Sequence, residues 1–340
     1  MEGWKHPFYQ QITLEWQRKT FHHRPRAILT PGKAAILYHA RAGRCQATDL
    51  IAPVCRRLQS SGWRVVTISR TQAANHARDE LVPRLADQCD LLVVIAGDGT
   101  LRDVCAGLYR TEASIPIGFV PTGNANVVAR DQGIPLQPDA AIALLTEGRL
   151  RRLDVGTMRT QPGSKDAKVF LAMVEIGFGA RVVHLTQRYR YGGLKALYRL
   201  WGDAVYVAAA LNALRSPAEI PLQVRADTAE EPHTCRAAVI ANTRCYAKGW
   251  AMAPKARMDD GRLDLVTRQR STPGVFFRAF YAALQAQHPS PAFSRYRQGR
   301  QFWCWSDRPL TVQVDGDPLP DLKWMEISLV PGCLQLIGPP

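Results

Sequence analysis

From residue 34 onward, short apolar runs alternate with stretches whose apolar residues recur every three or four positions. Residues 34–38 read as a buried strand. Ile51, Val54, Cys55 and Leu58 then form one helical stripe, and Gly62 is placed to end it. Residues 64–69 make a second strand, with β-branched side chains from Val65 to Ile68. A helix is expected before Pro83, then a strand at 91–95, a helix after Thr100 on Leu101, Val104, Cys105 and Leu108, and a strand at 115–120. Successive β-α-β units with continuously apolar strands imply a parallel sheet covered by helices on both faces. Beyond about Arg152 the texture changes. Strand-like runs at 169–174, 222–224, 237–240, 263–266, 310–314 and 325–329 imply a mainly antiparallel, β-rich second domain.

The 340 residues suffice for two ordinary domains, and 46% hydrophobic with 21% charged residues is a globular composition. No run of about 18 uncharged apolar residues is present and the first twenty residues lack a secretory core, so a cytoplasmic protein is expected. The eight cysteines form no CxxC pair and fall mostly on apolar positions, as reduced core residues do. A net charge of +15 makes anionic membranes, phosphorylated substrates and nucleic acid candidate partners. No nucleic-acid-binding signature accompanies that charge, so no nucleic-acid partner is expected.

Two loops then change the picture. The strand at 91–95 runs into Gly97-Asp98-Gly99-Thr100 and a helix, an arrangement that suits a phosphate. Gly97 and Gly99 let the backbone approach a ligand, Thr100 is a candidate helix cap, and the first helical amides point outward. Asp98 beside a phosphate calls for a Mg²⁺ or a transferable proton, which suggests phosphoryl transfer. A second small-residue loop, Pro121-Thr122-Gly123-Asn124-Ala125-Asn126, follows the next buried strand. Gly123 permits a tight turn, and Asn124 and Asn126 offer side-chain amides to a nucleotide. Each loop alone is equally a turn that needs glycine; the pair at neighbouring strand ends points to a site.

The first loop, continuing through Asp103, Val104, Gly107 and Leu108, resembles the GGDGT-x-x-E-V-x-N-G-L signature of the diacylglycerol kinase catalytic domain family. The second, through Arg130, resembles that family's P-x-G-T-x-N-x-x-A-R loop. Asn242, Lys248-Gly249, Pro254-Lys255-Ala256 and the run Asp260-Gly261-Arg262-Leu263-Asp264-Leu265 resemble a later block. Asp315-Gly316-Asp317 resembles the family's D-G-E segment. Ala96, Asp103 and Asn124 depart from the usual Gly, Glu and Thr.

The resemblance implies a Rossmann-like nucleotide-binding α/β domain, a sandwich-like β-rich domain, and an active site in the cleft between them. It implies ATP and Mg²⁺, with Gly97, Asp98, Gly99, Thr100, Gly123, Asn124 and Asn126 on the nucleotide. Asp98 and Asp317 are the candidate bases toward a lipid hydroxyl, such as that of diacylglycerol or a sphingoid lipid. Asp317 is one methylene shorter than the family's glutamate. Asp260 lies where the family can hold a structural metal, with cationic Arg257 nearby. An NAD kinase-like enzyme and a non-catalytic lipid or nucleotide binder are the alternatives.

The expected organisation is a basic arm (1–32), a nucleotide-binding domain (33–152), a lipid-substrate domain (153–330) and a tail (331–340). Residues 188–215 combine a helical apolar stripe with Arg188, Arg190, Lys195 and Arg199, suiting peripheral association with an anionic membrane surface or packing on the β-rich domain.

Overall fold

The computed structural model describes residues 30–40, 46–191, 208–213, 220–246, 250–269 and 294–340. The expectations for the arm before residue 30, for Lys248 and Gly249, and for most of 188–215 lie outside the described residues.

Strands β1 (Lys33–Tyr38), β2 (Arg64–Arg70), β3 (Leu91–Ala96) and β4 (Ile117–Pro121) pair in parallel in the order β2-β1-β3-β4. All six residues of β3 are buried, so alternate side chains serve two cores. Leu92 and Val94 pack with Leu101, Val104, Cys105 and Leu108 of helix α3 (Asp98–Thr111); before it come α1 (Ala47–Ser60) and the short α2 (Val82–Leu85). Leu91, Val93 and Ile95 pack on the other face with Val54 and Leu58 of α1. Two further helices follow β4: α4 (Val127–Asp131) and α5 (Pro138–Glu147).

Strand β5 (Arg149–Arg159) leads into the β-rich half. There β6 (Lys168–Phe170), β7 (Met173–Ile176) and helix α6 (Phe178–Tyr191) are followed by β8 (Leu222–Ala226), β9 (His233–Cys235) and β10 (Ala237–Ala241). After the small pair β11 (Cys245–Tyr246) and β12 (Trp250–Ala251) come β13 (Leu263–Arg268), β14 (Ser294–Gly299), β15 (Gln301–Leu310), β16 (Val312–Val314), β17 (Asp317–Pro318) and β18 (Leu322–Gly338). An antiparallel sheet ordered β14-β13-β10-β7-β16-β17 faces strands β18, β15, β8 and β9 of the other sheet. Between them lie Val174, Ile240, Leu265, Phe302, Met325 and Ile327. This is the sandwich expected from the sequence.

The expected tail at 331–340 is corrected. Pro331 and Gly332 interrupt β18 without ending it: the register shifts between Val330 and Leu334, and the strand resumes. Its second half pairs with β5 and, at Leu336, runs parallel to β4. Leu334 and Leu336 are buried in the α3 core and Ile337 in the α1 core. One strand thus belongs to the cores of both halves. Asp154 of β5 pins the interruption, accepting from the Gly332 amide at 2.8 Å and the Gly261 amide at 2.7 Å.

Candidate active site

The parallel strands deliver the two glycine loops side by side. Gly97, extended at φ −98°, precedes α3, and the helix begins at Asp98 with no side-chain cap. Thr100 therefore lies inside the first turn, which corrects its expected capping role. The loops touch backbone to backbone. A Cβ on Gly123 would stand 2.7 Å from the Gly97 Cα and 2.8 Å from the Asn126 Oδ1, so no larger residue fits there without displacing main chain.

Asp98 joins the loops, its Oδ1 accepting from the Val128 amide at 3.2 Å. Burial pushes its carboxyl above the ordinary range, the amides of Val127 and Val128 oppose that, and the nearby Asp315 charge adds to it. Asn126 adopts the left-handed conformation (φ 48°), which turns the chain into α4, and its Nδ2 donates to the Gly123 carbonyl at 2.8 Å. Its Oδ1 and the Thr122 Oγ1 are buried and find no hydrogen-bond partner among the described residues. Orphaned polar atoms beside a close-approach glycine pair, at a helix N-terminus, are what a nucleotide's phosphates and sugar would satisfy. Asn124 is exposed at the loop tip, and the Arg130 Nε turns back to the Ala125 carbonyl at 3.0 Å.

The β-rich half supplies the opposite wall. Val314 pairs with Asp317 across a two-residue turn whose central residues, Asp315 (φ 51°) and Gly316 (φ 87°), are both left-handed. This is the mirror-image hairpin turn that Asp-Gly favours. The Asp315 carboxylate is consumed by backbone: it accepts from the amides of Leu171 (2.8 Å), Ala172 (2.9 Å) and Met173 (3.0 Å). Burial raises its pKa, while the Arg102 charge and those amides lower it. Asp317, the next acid, keeps 49% of its side chain exposed.

Arg102, one helical turn beyond Asp98, reaches across to that hairpin. Its Nη2 lies 2.7 Å from the Asp317 Oδ2 and 3.8 Å from the Asp103 Oδ1. The Lys168 ammonium lies in the same field, its pKa lowered by burial and then by the Arg102 charge. Neither cation was singled out from sequence. Position 102 is open in the signature, and its partner lies far along the chain. Asp103 serves locally, accepting from the Asn75 amide at 2.9 Å.

Other motif residues hold the frame. Asn242 is fully buried and donates to the carbonyls of Asp154 (2.9 Å) and Leu171 (3.0 Å). The Asp260 carboxylate accepts from the Arg262 amide at 3.0 Å, and Arg257 pairs with Asp259 at 2.9 Å. Among the described residues no group of three His, Cys, Asp or Glu side chains is arranged to hold a metal. The Asp260 carboxylate serves as an acceptor within its own turn. No described cysteine is in a disulfide, and no described helix is long and apolar enough to cross a membrane.

Residues 33–158 match the diacylglycerol kinase catalytic domain model, and residues 172–338 match that of the YegS C-terminal NAD kinase beta sandwich-like domain. The chain belongs to the diacylglycerol kinase family of lipid kinases. It is 29% identical over 280 residues to a probable lipid kinase YegS-like of Pseudomonas aeruginosa UCBPP-PA14, covering 82% of this chain and 86% of that protein. It is 28% identical over 314 residues to a diacylglycerol kinase of Mycobacterium tuberculosis, covering 91% and 96%. A putative diacylglycerol kinase from Bacillus anthracis shares the fold, with a TM-score of 0.72 at 18% identity over 93% of this chain and 99% of that one. The family's two-domain plan is the one described above.

Proposed function

We propose that this family member transfers the γ-phosphoryl group of ATP to the hydroxyl of a membrane lipid such as diacylglycerol, working at an anionic membrane surface. The observation that carries the reading is the meeting of two loop systems: glycine turns bridged by Asp98 on one wall, Asp317 on the other, and Arg102 between. The bond from the γ-phosphorus to the ADP oxygen breaks, a bond to the lipid oxygen forms, and the hydroxyl proton leaves to a carboxylate.

Such a transfer is mostly positioning and charge neutralisation. The first-turn amides of α3 with Gly97, Gly99 and Thr100 receive the phosphates. Gly123, Asn124 and Asn126, with Thr122, hold the nucleotide. Arg102 and Lys168 offset charge. Mg²⁺ would supply further neutralisation on the phosphate oxygens, consistent with a site that offers carboxylates from Asp98 and Asp317 and no all-protein cage. We assign the proton-acceptor role to Asp317 on its position. Asp98 spends an oxygen on Val128, whereas Asp317 stands half-exposed and open to an incoming hydroxyl.

The test is transfer of radiolabelled γ-phosphate to diacylglycerol, monoacylglycerol, sphingoid base, ceramide and NAD, with phosphatidylglycerol vesicles present. Label in a lipid is expected, with Asp317→Asn lowering kcat by about 10²- to 10⁴-fold. Label in NAD instead would move the protein to a different kinase reading.

A further inference from the structure

Arg102 belongs to α3 in the nucleotide-binding half, and Asp317 to the hairpin of the β-rich half. Few ion pairs between halves of a protein do more than add modest stability, and exposed ones are worth little. This one differs in three respects. The Arg102 side chain is only 12% exposed, so its guanidinium has given up most of its water. Its recorded ion-pair partners are Asp317 and Asp103, with the Asp315 charge also acting on it; all three acids border the candidate site. And it grips one oxygen of Asp317, Oδ2, which fixes the direction in which Oδ1 is presented.

The sequence adds a reason. The family segment carries a glutamate where this chain has the shorter Asp317, and the signature leaves position 102 open. Arg102 is a long, planar donor and Asp317 a short acid, and the guanidinium reaches across to hold its Oδ2 at 2.7 Å.

We propose that Arg102 is the positioning residue for Asp317, orienting the proton acceptor across the cleft and not serving primarily as a phosphate ligand. The proposal rests on the lipid kinase reading above. Misplacing a reacting group by about 1 Å costs on the order of 100-fold in rate, which sets the scale of the effect.

The experiment measures kcat and KM for ATP on diacylglycerol in phosphatidylglycerol vesicles. It uses the full chain and its Arg102→Gln, Arg102→Lys, Asp317→Asn and Arg102→Gln/Asp317→Asn variants, with urea unfolding midpoints for each. Arg102→Gln is expected to lose kcat on the order of 100-fold with little change in KM, and Arg102→Lys to regain part of it. The double variant is expected to be no slower than Asp317→Asn alone, because the two residues act as one unit. Asp317→Glu placed in the Arg102→Gln background is expected to recover activity, since the longer acid needs no guide.

A raised KM with kcat intact would make Arg102 a phosphate ligand and overturn the proposal, as would additive losses in the double variant. A parent chain that labels no lipid would sink the substrate reading instead. The urea midpoints then judge the pair: shifts that do not add uphold the contact, and shifts that add overturn it.

Discussion

The two walls of the cleft use the same two residue types in exchanged places, Gly97-Asp98-Gly99 on one side and Asp315-Gly316-Asp317 on the other, and to different ends. In the first, the glycines do the work of approach, and the single acid is drawn into holding two loops together. In the second, the glycine makes a turn, one acid is consumed as that turn's anchor, and the other is left over. What a carboxylate can do is set by how many of its oxygens the backbone has already claimed. Asp98 holds the Val128 amide with the Val127 amide also acting on it, Asp315 has both oxygens on three amides, and Asp317 has one on a guanidinium.

The sharpest way to break this contrast is at the glycines. Gly123→Ala is expected to abolish phosphoryl transfer and nucleotide binding, because its Cβ would meet the Gly97 Cα at 2.7 Å and drive the loops apart. Calorimetric titration with ATP checks it, and binding within a few fold of the parent chain would show that the contact yields. Next comes the anchor. Asp315→Ala leaves three buried amides without their acceptor and is expected to destabilise the fold by about 3 kcal/mol or more, read from urea unfolding. Asp317→Ala on the same hairpin should cost less than that, since the lost carboxylate is half-exposed and the Arg102 guanidinium keeps the charges of Asp103 and Asp315 nearby. Equal costs would erase the distinction between the two acids.

The smallest effect concerns a fourth aspartate. Asp264 is fully buried, its Oδ1 accepts from the Gln298 Nε2 at 3.1 Å, and its Oδ2 has no hydrogen-bond partner among the described residues. Burial raises its pKa to about 7, with Gln298 pulling weakly the other way. The folded state therefore holds a proton that the unfolded chain releases near pH 4, and stability falls as pH rises from about 4 to about 7. Asp264→Asn removes that slope. Thermal melts at pH 5 and pH 8 should show the variant gaining on the parent chain at the higher pH, by about 2 to 3 kcal/mol. A parent chain whose stability is flat over that window would count against the assignment.

Much of this was legible beforehand. The parallel half announced itself through continuous apolar strands and helical stripes, and both glycine loops stood at strand ends as expected. What stayed hidden were relations between distant residues. An arginine on a helix surface looks the same whether it meets water or Asp317, and no local pattern distinguishes Asp315 from Asp317. The last strand continues past the expected boundary at 330, across a Pro331-Gly332 pair whose chemistry is unusual inside a strand. Here it is an irregularity within a strand, held by Asp154, and the ladder continues past it.

That strand bears on how the protein is made. Strands β1 to β4 are close together in the chain, yet the second neighbour of β4 is Leu336, which is synthesised after the whole β-rich half. Until it arrives, β4 presents an unpaired apolar edge of the kind that invites association with other chains. The nucleotide-binding half therefore completes its sheet only once the last strand of the β-rich half has been made.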